Sequence, residues 1–276
     1  MRNSKKKKDL LGSYIISKFP KTRIPTLDFL KIGEEKHYVK GLIELDVSKA
    51  REKIQVYESN EGTKLSFTAW LLTCIGHAIS NHPEVQTIRY KKKKLINFED
   101  VDISIVVEKK VGDKKVPMPL IIRKANEKSV LDIHREIREA QKEEKQDAAV
   151  LGESSMNKKI KVYVRLPGFL RRFIIKRMLK NPFTFKKQMG TVLLTAVGMF
   201  SKFHGWPITA GGVHPLKFAV GGISKKPIIV ENEIRQREML TLTILFDHEI
   251  IDGGPATRFS SELGEMIENA FGLEFV

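Results

Sequence analysis

The amino-acid sequence predicts one mixed α/β domain, on three observations. The chain has 276 residues and a hydrophobic content of 41%, which is enough to bury a substantial core. Strand-like and helix-like segments are both present, but they do not alternate strictly along the chain. No internal repeat and no linker rich in Gly and Pro divides it. The pattern is that of an α+β protein and disfavours a doubly wound nucleotide-binding fold.

The first third of the chain begins with a basic N-terminal arm, residues 1–34, of which residues 1 to about 24 are expected to be an extended arm or a short helix that leads into the fold. Residues 39–47 alternate enough for a strand, and residues 46–56 then fit a helix. Residues 65–80 form a strongly apolar helix that ends before Pro83, because proline restrains the residue before it. Two hydroxyl residues can cap the start of this helix, Thr63 and Ser66.

In the middle of the chain, the residue pattern predicts two paired strands, a helix and two further strands. Residues 101–108 and 117–123 carry the Val and Ile pattern of strands. Residues 129–145 fit an amphipathic helix with one apolar face. Residues 189–197 and 218–223 are further strands, joined by a loop rich in Gly and Pro.

The C-terminal segment contains the clearest strand, residues 239–246, followed by a turn and a helix. Pro255 begins that helix, because proline is well tolerated in a first turn, and the helix extends to about Ala270. A mixed order of strands and helices is therefore expected to the end of the domain.

Composition indicates the cellular compartment in which the protein is expected. No apolar run approaches the roughly 20 residues needed to cross a bilayer, and the charged N-terminus does not resemble a secretory signal. Cys74 is the single cysteine, so an internal disulfide is excluded and a reducing cytoplasm is expected. We find no convincing metal-ligand set and no Gly-rich phosphate loop.

One motif carries chemistry, at residues 247–255, where the clearest strand meets a turn containing glycine. His248 stands at this junction, and imidazole exchanges a proton near neutrality because its pKa is about 6.5. Asp252, four residues later, is expected to hold the turn by pairing with a basic residue. A histidine in a strand-to-helix turn is often purely structural, but the whole local pattern favours a catalytic one.

The motif resembles the His-x-x-x-Asp-Gly motif of the chloramphenicol acetyltransferase-like superfamily. With Phe246 and Asp247 before it and residues 256–259 after it, it is most similar to the catalytic domain of the acyltransferase component of 2-oxo acid dehydrogenase complexes. Residues 65–85 and 102–122 resemble further segments of that family. The resemblance implies a two-layer sandwich with a central mixed sheet, within a catalytic domain that spans residues 35–276.

The resemblance also implies an activity, the transfer of an acyl group between coenzyme A and a dihydrolipoyl-like thiol or another small acceptor. His248 would deprotonate the acceptor, and the thiolate would attack the acyl thioester. The hydroxyl of Thr195, in the strand that matches the family's oxyanion-binding strand, would stabilise the tetrahedral oxyanion. Coenzyme A is expected as a substrate, and the residues that bind it are not identified. A homotrimer, or an assembly of trimers, with the site between chains is implied.

The sequence departs from the family pattern in three ways. No lipoyl domain precedes residue 35, so a lipoyl group is expected only on a separate partner. Ala196 replaces the polar residue that usually lies beside the catalytic hydroxyl, and Thr195 can instead be an ordinary β-branched strand residue. A non-catalytic oligomeric scaffold of the same fold is therefore the alternative function. The third departure is an insertion at about residues 155–187.

The insertion has basic residues between apolar ones at helical spacing. Its apolar positions are Phe169, Leu170, Phe173, Ile174 and Met178. Such a helix can lie on a membrane surface or against an acyl chain, or it can pack on its own domain or a neighbouring subunit. Packing within the protein is the favoured interpretation.

The formal charge of +16 also fits nucleic-acid binding, but no recognised nucleic-acid module is present, and this function ranks last. The lysine runs 5–8 and 91–94 are expected to be solvated, with phosphates of coenzyme A as an alternative contact. His77 is expected in the core or at an interface. His204 and His214 flank the Gly and Pro loop without an assigned role.

Overall fold

The computed structural model describes residues 8–9, 12–91, 93–111, 114–142, 158–198 and 204–275. Within these ranges the strands are β1 (Lys8–Asp9), β2 (Gly12–Ser13), β3 (Tyr38–Asp46), β4 (Ile88–Tyr90), β5 (Lys94–Ile96), β6 (Ile103–Val111), β7 (Lys114–Ile122), β8 (Val192–Ala196), β9 (Leu216–Val230) and β10 (Glu233–Asp247). The helices are α1 (Ile24–Gly33), α2 (Ser48–Glu61), α3 (Phe67–Asn81), α4 (Val130–Lys142), α5 (Lys158–Arg165), α6 (Gly168–Leu179), α7 (Pro182–Met189) and α8 (Gly253–Glu268).

A six-stranded mixed sheet in the order β3-β10-β9-β8-β6-β7 forms the centre of the domain. β8 runs parallel to both β6 and β9, and the other neighbouring pairs are antiparallel. The predicted central mixed sheet is therefore present. β1 with β2, and β4 with β5, form separate two-stranded hairpins.

Helices α2, α3, α4 and α8 cover one face of this sheet. Their apolar side chains and those of the sheet form one core cluster around Trp70, which is completely buried. The indole nitrogen of Trp70 donates a hydrogen bond to the carbonyl oxygen of Phe271 over 2.9 Å, so the partly polar ring is satisfied in this apolar setting. One sheet and one helix layer give the expected two-layer sandwich.

The opposite face of the sheet is covered by the segment 204–215, which precedes β9. The hydroxyl of Thr241 on β10 donates to the carbonyl oxygen of Gly205 over 3.0 Å, and Trp206 donates from its indole nitrogen to the carbonyl oxygen of Ile43 over 3.1 Å. Gly221 makes this approach possible, because a Cβ atom there would lie 2.1 Å from the hydroxyl oxygen of Thr241.

The predicted strands and helices of the catalytic domain are present, with shifted ends. Ser66 is the cap of α3, because its hydroxyl accepts from the backbone nitrogen of Ala69 over 3.2 Å, and the helix ends before Pro83. The strand predicted from residue 189 begins only at Val192, since α7 extends to Met189. The strand predicted at residues 218–223 extends to Val230, and β10 begins at Glu233, so the hairpin between them is longer than expected.

The N-terminal arm and the insertion differ more from expectation. Residues 24–33 of the predicted arm form α1, in which Asp28 and Ile32 are buried against the rest of the domain. The insertion forms α5, α6 and α7 rather than one helix. Residues 1–7 and 10–11 of the arm, and residues 143–157 at the end of the predicted fourth helix and the start of the insertion, lie outside the described residues. No helix among the described residues is both long and apolar enough to cross a membrane.

Candidate active site

The junction between β10 and α8 fixes the backbone of His248 on two sides. The backbone nitrogen of Asp247 donates to the carbonyl oxygen of Pro215 over 3.0 Å, and that of His248 donates to the carbonyl oxygen of His37 over 2.7 Å. β10 lies between β3 and β9 in the sheet. These two hydrogen bonds therefore continue the pairing of β10 with each neighbouring strand beyond the end of that strand. The histidine therefore leaves the sheet from a rigid position.

The imidazole of His248 is held in one tautomer. Its Nδ1 atom lies 2.7 Å from the carbonyl oxygen of Ile251, and a carbonyl oxygen can only accept a hydrogen bond. Nδ1 therefore carries the proton of the neutral ring, and Nε2 keeps a free lone pair. The side chain is 46% exposed. The arrangement gives a fixed base that a substrate can reach.

Asp252 does not brace the turn within one chain as the sequence predicted. Its carboxylate is 91% exposed, and the ionisable group recorded near it is His248, 4.0 Å away from Oδ1 to Nδ1. It precedes the first turn of α8 and makes no side-chain capping bond. Among the described residues of one chain, Asp252 has no Lys or Arg partner, and its side chain points into solvent.

The residues before β3 support the turn, and sequence reasoning missed them. Lys36 forms an ion pair with Asp247, whose side chain is only 1% exposed. Tyr38 donates its hydroxyl towards the carbonyl oxygens of Gly212, 2.9 Å away, and His214, 2.7 Å away. Burial and the nearby carboxylate of Asp247 raise the pKa of Tyr38, so it remains a neutral donor.

A weak signal for this support existed in the sequence. Lys36, His37 and Tyr38 form a polar run immediately before a predicted strand. Antiparallel pairing places the start of one strand beside the end of its partner, and Tyr38 is opposite Asp247. The pairing of β3 with β10 is the step that the sequence alone did not supply.

Thr195 lies elsewhere on the sheet. It is opposite Ala219 of β9, which in turn is opposite Thr243 of β10, five positions before His248. With strands about 4.8 Å apart and a rise of about 3.3 Å per residue, Thr195 and His248 are roughly 19 Å apart. No hydrogen bond of the Thr195 hydroxyl is found within the described part of the chain. The chain therefore does not bring the two predicted catalytic residues together by itself.

Two cavities accompany these residues. A small one of about 120 Å³ lies against Asp247 and Ile250, and the side chains of Leu179 and Phe185 from α6 and α7 help to line it. A larger one of about 530 Å³ is lined by Leu194 and Ala196. The side chain of Thr195, between them, points to the opposite face of the sheet, because side chains alternate along a strand. The larger volume is within the range of small-molecule sites.

Of the three histidines that the sequence left without a catalytic role, His77, His204 and His214, two have structural surroundings. His214 is buried, its Nε2 atom lies 3.0 Å from the carbonyl oxygen of Met189, and burial lowers its pKa to about 4. His77 packs edge-on against Phe271, with ring centroids 5.0 Å apart, and burial lowers its pKa as well. His204 is exposed. His77 is thus a packing residue, and His214 joins the end of α7 to the loop that precedes β9.

Comparison with known proteins extends the sequence resemblance. The family model described as 2-oxoacid dehydrogenases acyltransferase (catalytic domain) matches residues 39–156 and 184–273. The dihydrolipoyllysine-residue acetyltransferase component of the pyruvate dehydrogenase complex of Mycoplasma pneumoniae is 27% identical over 220 residues, which are 78% of this chain and 44% of that protein. The dihydrolipoyllysine-residue succinyltransferase component of the 2-oxoglutarate dehydrogenase complex of Staphylococcus epidermidis is 26% identical over 220 residues, 79% of this chain and 43% of that protein. The chain thus spans less than half the length of these relatives.

A solved structure shows the same fold. The dihydrolipoamide acetyltransferase of Azotobacter vinelandii, whose catalytic mechanism has been investigated at a serine, a histidine and an asparagine, aligns with a TM-score of 0.67. The sequences are 16% identical, and the alignment covers 94% of this chain and 93% of the other. The predicted fold is confirmed by this likeness.

Proposed function

The chain belongs to the family of 2-oxoacid dehydrogenases acyltransferases (catalytic domain), and on this premise we propose that it moves an acyl group between coenzyme A and a dihydrolipoyl-like thiol. One observation carries the proposal: the Nδ1 atom of His248 is committed to the carbonyl oxygen of Ile251 over 2.7 Å. This leaves Nε2 as the basic atom of a half-exposed ring.

In the proposed reaction His248 first removes a proton from the acceptor thiol and later gives it to the departing thiolate. Its Nε2 atom takes the proton of the acceptor thiol, since the thiolate and not the thiol is the nucleophile. The thiolate sulphur attacks the thioester carbonyl carbon, and the carbonyl π electrons move onto oxygen. When the tetrahedral oxyanion collapses, the carbon–sulphur bond to the donor breaks. The departing thiolate then receives the proton back from Nε2.

Thr195 is the proposed donor to the oxyanion, from a neighbouring chain. Its separation of roughly 19 Å from His248 of the same chain is too large for one substrate carbonyl to contact both. In a homotrimer, His248 of one chain would face Thr195 of the next, so that one substrate carbonyl can contact both residues. A hydroxyl aimed in advance at the developing charge lowers the barrier without reorganising during the reaction. The Azotobacter protein, whose mechanism was studied at a serine and a histidine, supports this pairing of residue types.

The relatives are named acetyltransferase and succinyltransferase components, so acetyl and succinyl are the first candidates for the transferred acyl group. The acceptor thiol is proposed to belong to a lipoyl group on a separate partner protein. Coenzyme A enters this scheme as a substrate.

The test is thiol release from acetyl-, succinyl- and longer acyl-coenzyme A in the presence of dihydrolipoamide. We expect turnover by the wild-type protein and a loss of about 10²–10⁴-fold in His248→Ala, the usual contribution of a general base. The matched control is His204→Ala, since His204 is exposed and has no assigned role. The preferred thioester then identifies the acyl group.

Two results would contradict the proposal. If His248→Ala retained wild-type turnover, the histidine would not be the base. If a folded, assembled wild-type protein released no thiol from any thioester, the non-catalytic scaffold would be the better reading.

A further inference from the structure

The insertion concentrates positive charge. Residues 158–189 contain eleven basic side chains and no Asp or Glu, against a formal net charge of +16 for the whole chain. The eleven are Lys158, Lys159, Lys161, Arg165, Arg171, Arg172, Lys176, Arg177, Lys180, Lys186 and Lys187. The segment also lies almost entirely between the ranges matched by the family model, which stop at residue 156 and resume at residue 184.

One face of α6 packs inward. Ile175 is 5% exposed and belongs to a small core cluster with Ile32 of α1 and Phe185 of α7. Arg171 reaches the same side, where its Nε atom lies 2.7 Å from Oδ2 of the buried Asp28. These contacts fix the rotation of α6 about its own axis, and hence the residues that it presents outward.

The opposite face of α6 is apolar and basic. Phe169 is 71% exposed and Phe173 is 63% exposed. Arg177 and Lys180 are exposed as well, and neither forms an ion pair among the described residues. Positions 169, 173 and 177 are four residues apart, and position 180 is seven after position 173, so all four lie along one side of the helix. We call these four side chains the α6 outer face.

We propose that the α6 outer face binds a surface of anionic phospholipids. A helix with aromatic residues between Lys and Arg binds in the plane of a bilayer interface, where the rings enter the headgroup region and the cations contact phosphates. Two acidic side chains, Glu34 and Glu35, lie beside Phe169 and Phe173, and Glu35 is paired with Lys176. Basic side chains outnumber them there, since Lys31, Arg172 and Lys176 line the same depression.

The proposal goes beyond acyl transfer and does not depend on it. Leu179, which lines the cavity beside Asp247, and Ile175 both lie on the inward side of α6. Binding at the outer face therefore leaves that cavity uncovered.

The test is co-sedimentation of the full chain with vesicles. We expect binding to phosphatidylcholine vesicles that contain phosphatidylglycerol, little binding to phosphatidylcholine alone, and a decrease with added salt because the charges are exposed. Phe169→Ser/Phe173→Ser should lower the apparent affinity by about tenfold or more, and Arg177→Gln/Lys180→Gln by a similar factor. All four side chains are exposed, so these variants are expected to fold.

The matched control is Val56→Ser/Leu95→Ser, which removes two exposed apolar side chains, 45% and 61% exposed, from other elements. It should bind vesicles like the wild type. Phe169→Trp adds a direct readout, because its fluorescence should shift to the blue on anionic vesicles and not on neutral ones.

Three results would overturn the proposal. The first is equal binding by the wild type and Phe169→Ser/Phe173→Ser. The second is no binding to anionic vesicles. The third is capture of soluble polyglutamate at least as strongly as vesicles, with the same dependence on Phe169 and Phe173, which would identify an acidic protein surface as the partner.

Discussion

Thr195 lies two strands away from β10, the strand that His248 directly follows; it is level with Thr243 and roughly 19 Å from the histidine. A backbone ladder fixes this separation, so side-chain rotation cannot close it. A site that uses both residues must therefore be formed by two chains, and mixing experiments can test this.

The first prediction concerns hybrid assemblies. His248→Ala and Thr195→Ala should each be nearly inactive as pure proteins. When the two variants are unfolded together and refolded as a mixture, activity should return, because some interfaces then combine an intact His248 with an intact Thr195 from the other chain. Thiol release after mixing measures the recovery.

The control for mixing is the pair of variants refolded separately and combined without exchange, which should remain inactive. If the refolded mixture were as inactive as its parents while forming the same assembly, a site shared between chains would be excluded. Activity of Thr195→Ala close to that of the wild type would remove Thr195 from the mechanism.

The second prediction concerns the glycine beneath the segment 204–215. Gly221→Ala should destabilise the protein by about 2 kcal/mol or more, because displaced backbone and an overpacked contact carry costs of this size. Its Cβ would lie 2.1 Å from the Thr241 hydroxyl and 2.8 Å from the carbonyl oxygen of Gly205. Urea unfolding measures the difference.

The matched control is Gly41→Ala on β3, where an added Cβ meets nothing within 4 Å. Its free energy of unfolding should stay within about 1 kcal/mol of the wild type. Equal stability of the two variants would mean that the segment does not rest on Gly221.

The third prediction concerns pH. Burial lowers the pKa of His214 from 6.5 to about 4, so the unfolded chain binds a proton in a range where the folded chain does not. The contribution of this group to stability is complete above about pH 6.5 and is lost as the pH falls towards 4. Between about pH 7 and pH 4.5 the wild type should lose about 2–3 kcal/mol more than His214→Gln.

Urea unfolding at a series of pH values measures this difference. Gln can still donate to the carbonyl oxygen of Met189 but does not titrate, so the two curves should converge as the pH falls. Parallel curves for the wild type and His214→Gln would show that His214 is solvated in the folded protein.

The fourth prediction concerns the ion pair that holds α6 to α1. Arg171→Met should destabilise the protein by about 2–3 kcal/mol, because the buried carboxylate of Asp28 loses its closer cation and keeps only Arg172, 3.8 Å from Oδ1. Burial raises the pKa of Asp28, but hydrogen bonds from Arg171 and Tyr163 outweigh it and lower the pKa below its ordinary value of 3.8. The stabilisation from the pair is thus present above about pH 4 and fades as the pH falls further.

Arg235→Met is the control, since its partners Glu231 and Glu233 are 81% and 71% exposed, and such pairs contribute less than about 1 kcal/mol. Adding Asp28→Asn to Arg171→Met should restore part of the lost stability. A loss no greater than that of Arg235→Met would show that Asp28 is hydrated.

The sequence predicted elements best where a local signal was strong. The helix that begins at Phe67 was found from its apolar run, its Ser66 cap and the following Pro83. His248 was singled out because a titratable residue stands where a buried strand meets a turn that contains glycine. In both cases the information lies within a few neighbouring residues.

Features that depend on distant partners were not predictable in this way. Lys36 becomes part of the site only because β3 pairs with β10, which brings it to Asp247. The helix α1 was missed because its moderate apolar pattern becomes decisive only once Ile32 packs against the insertion. The full length of β9 was missed because its outer half alternates exposed and half-buried residues without a core.

The pairing of β3 with β10 has a consequence for biosynthesis. β3 is an edge strand whose neighbour in the described sheet is β10, and the paired residues Tyr38 and Asp247 are 209 positions apart. During translation β3 leaves the ribosome before β10 and stays unpaired until β10 has followed. Contacts so distant in sequence form slowly, and an open strand edge favours aggregation meanwhile. The hydrogen bond from the backbone nitrogen of His248 to the carbonyl oxygen of His37 closes this ladder, so His248 reaches its place only after β10 has been synthesised and has paired with β3.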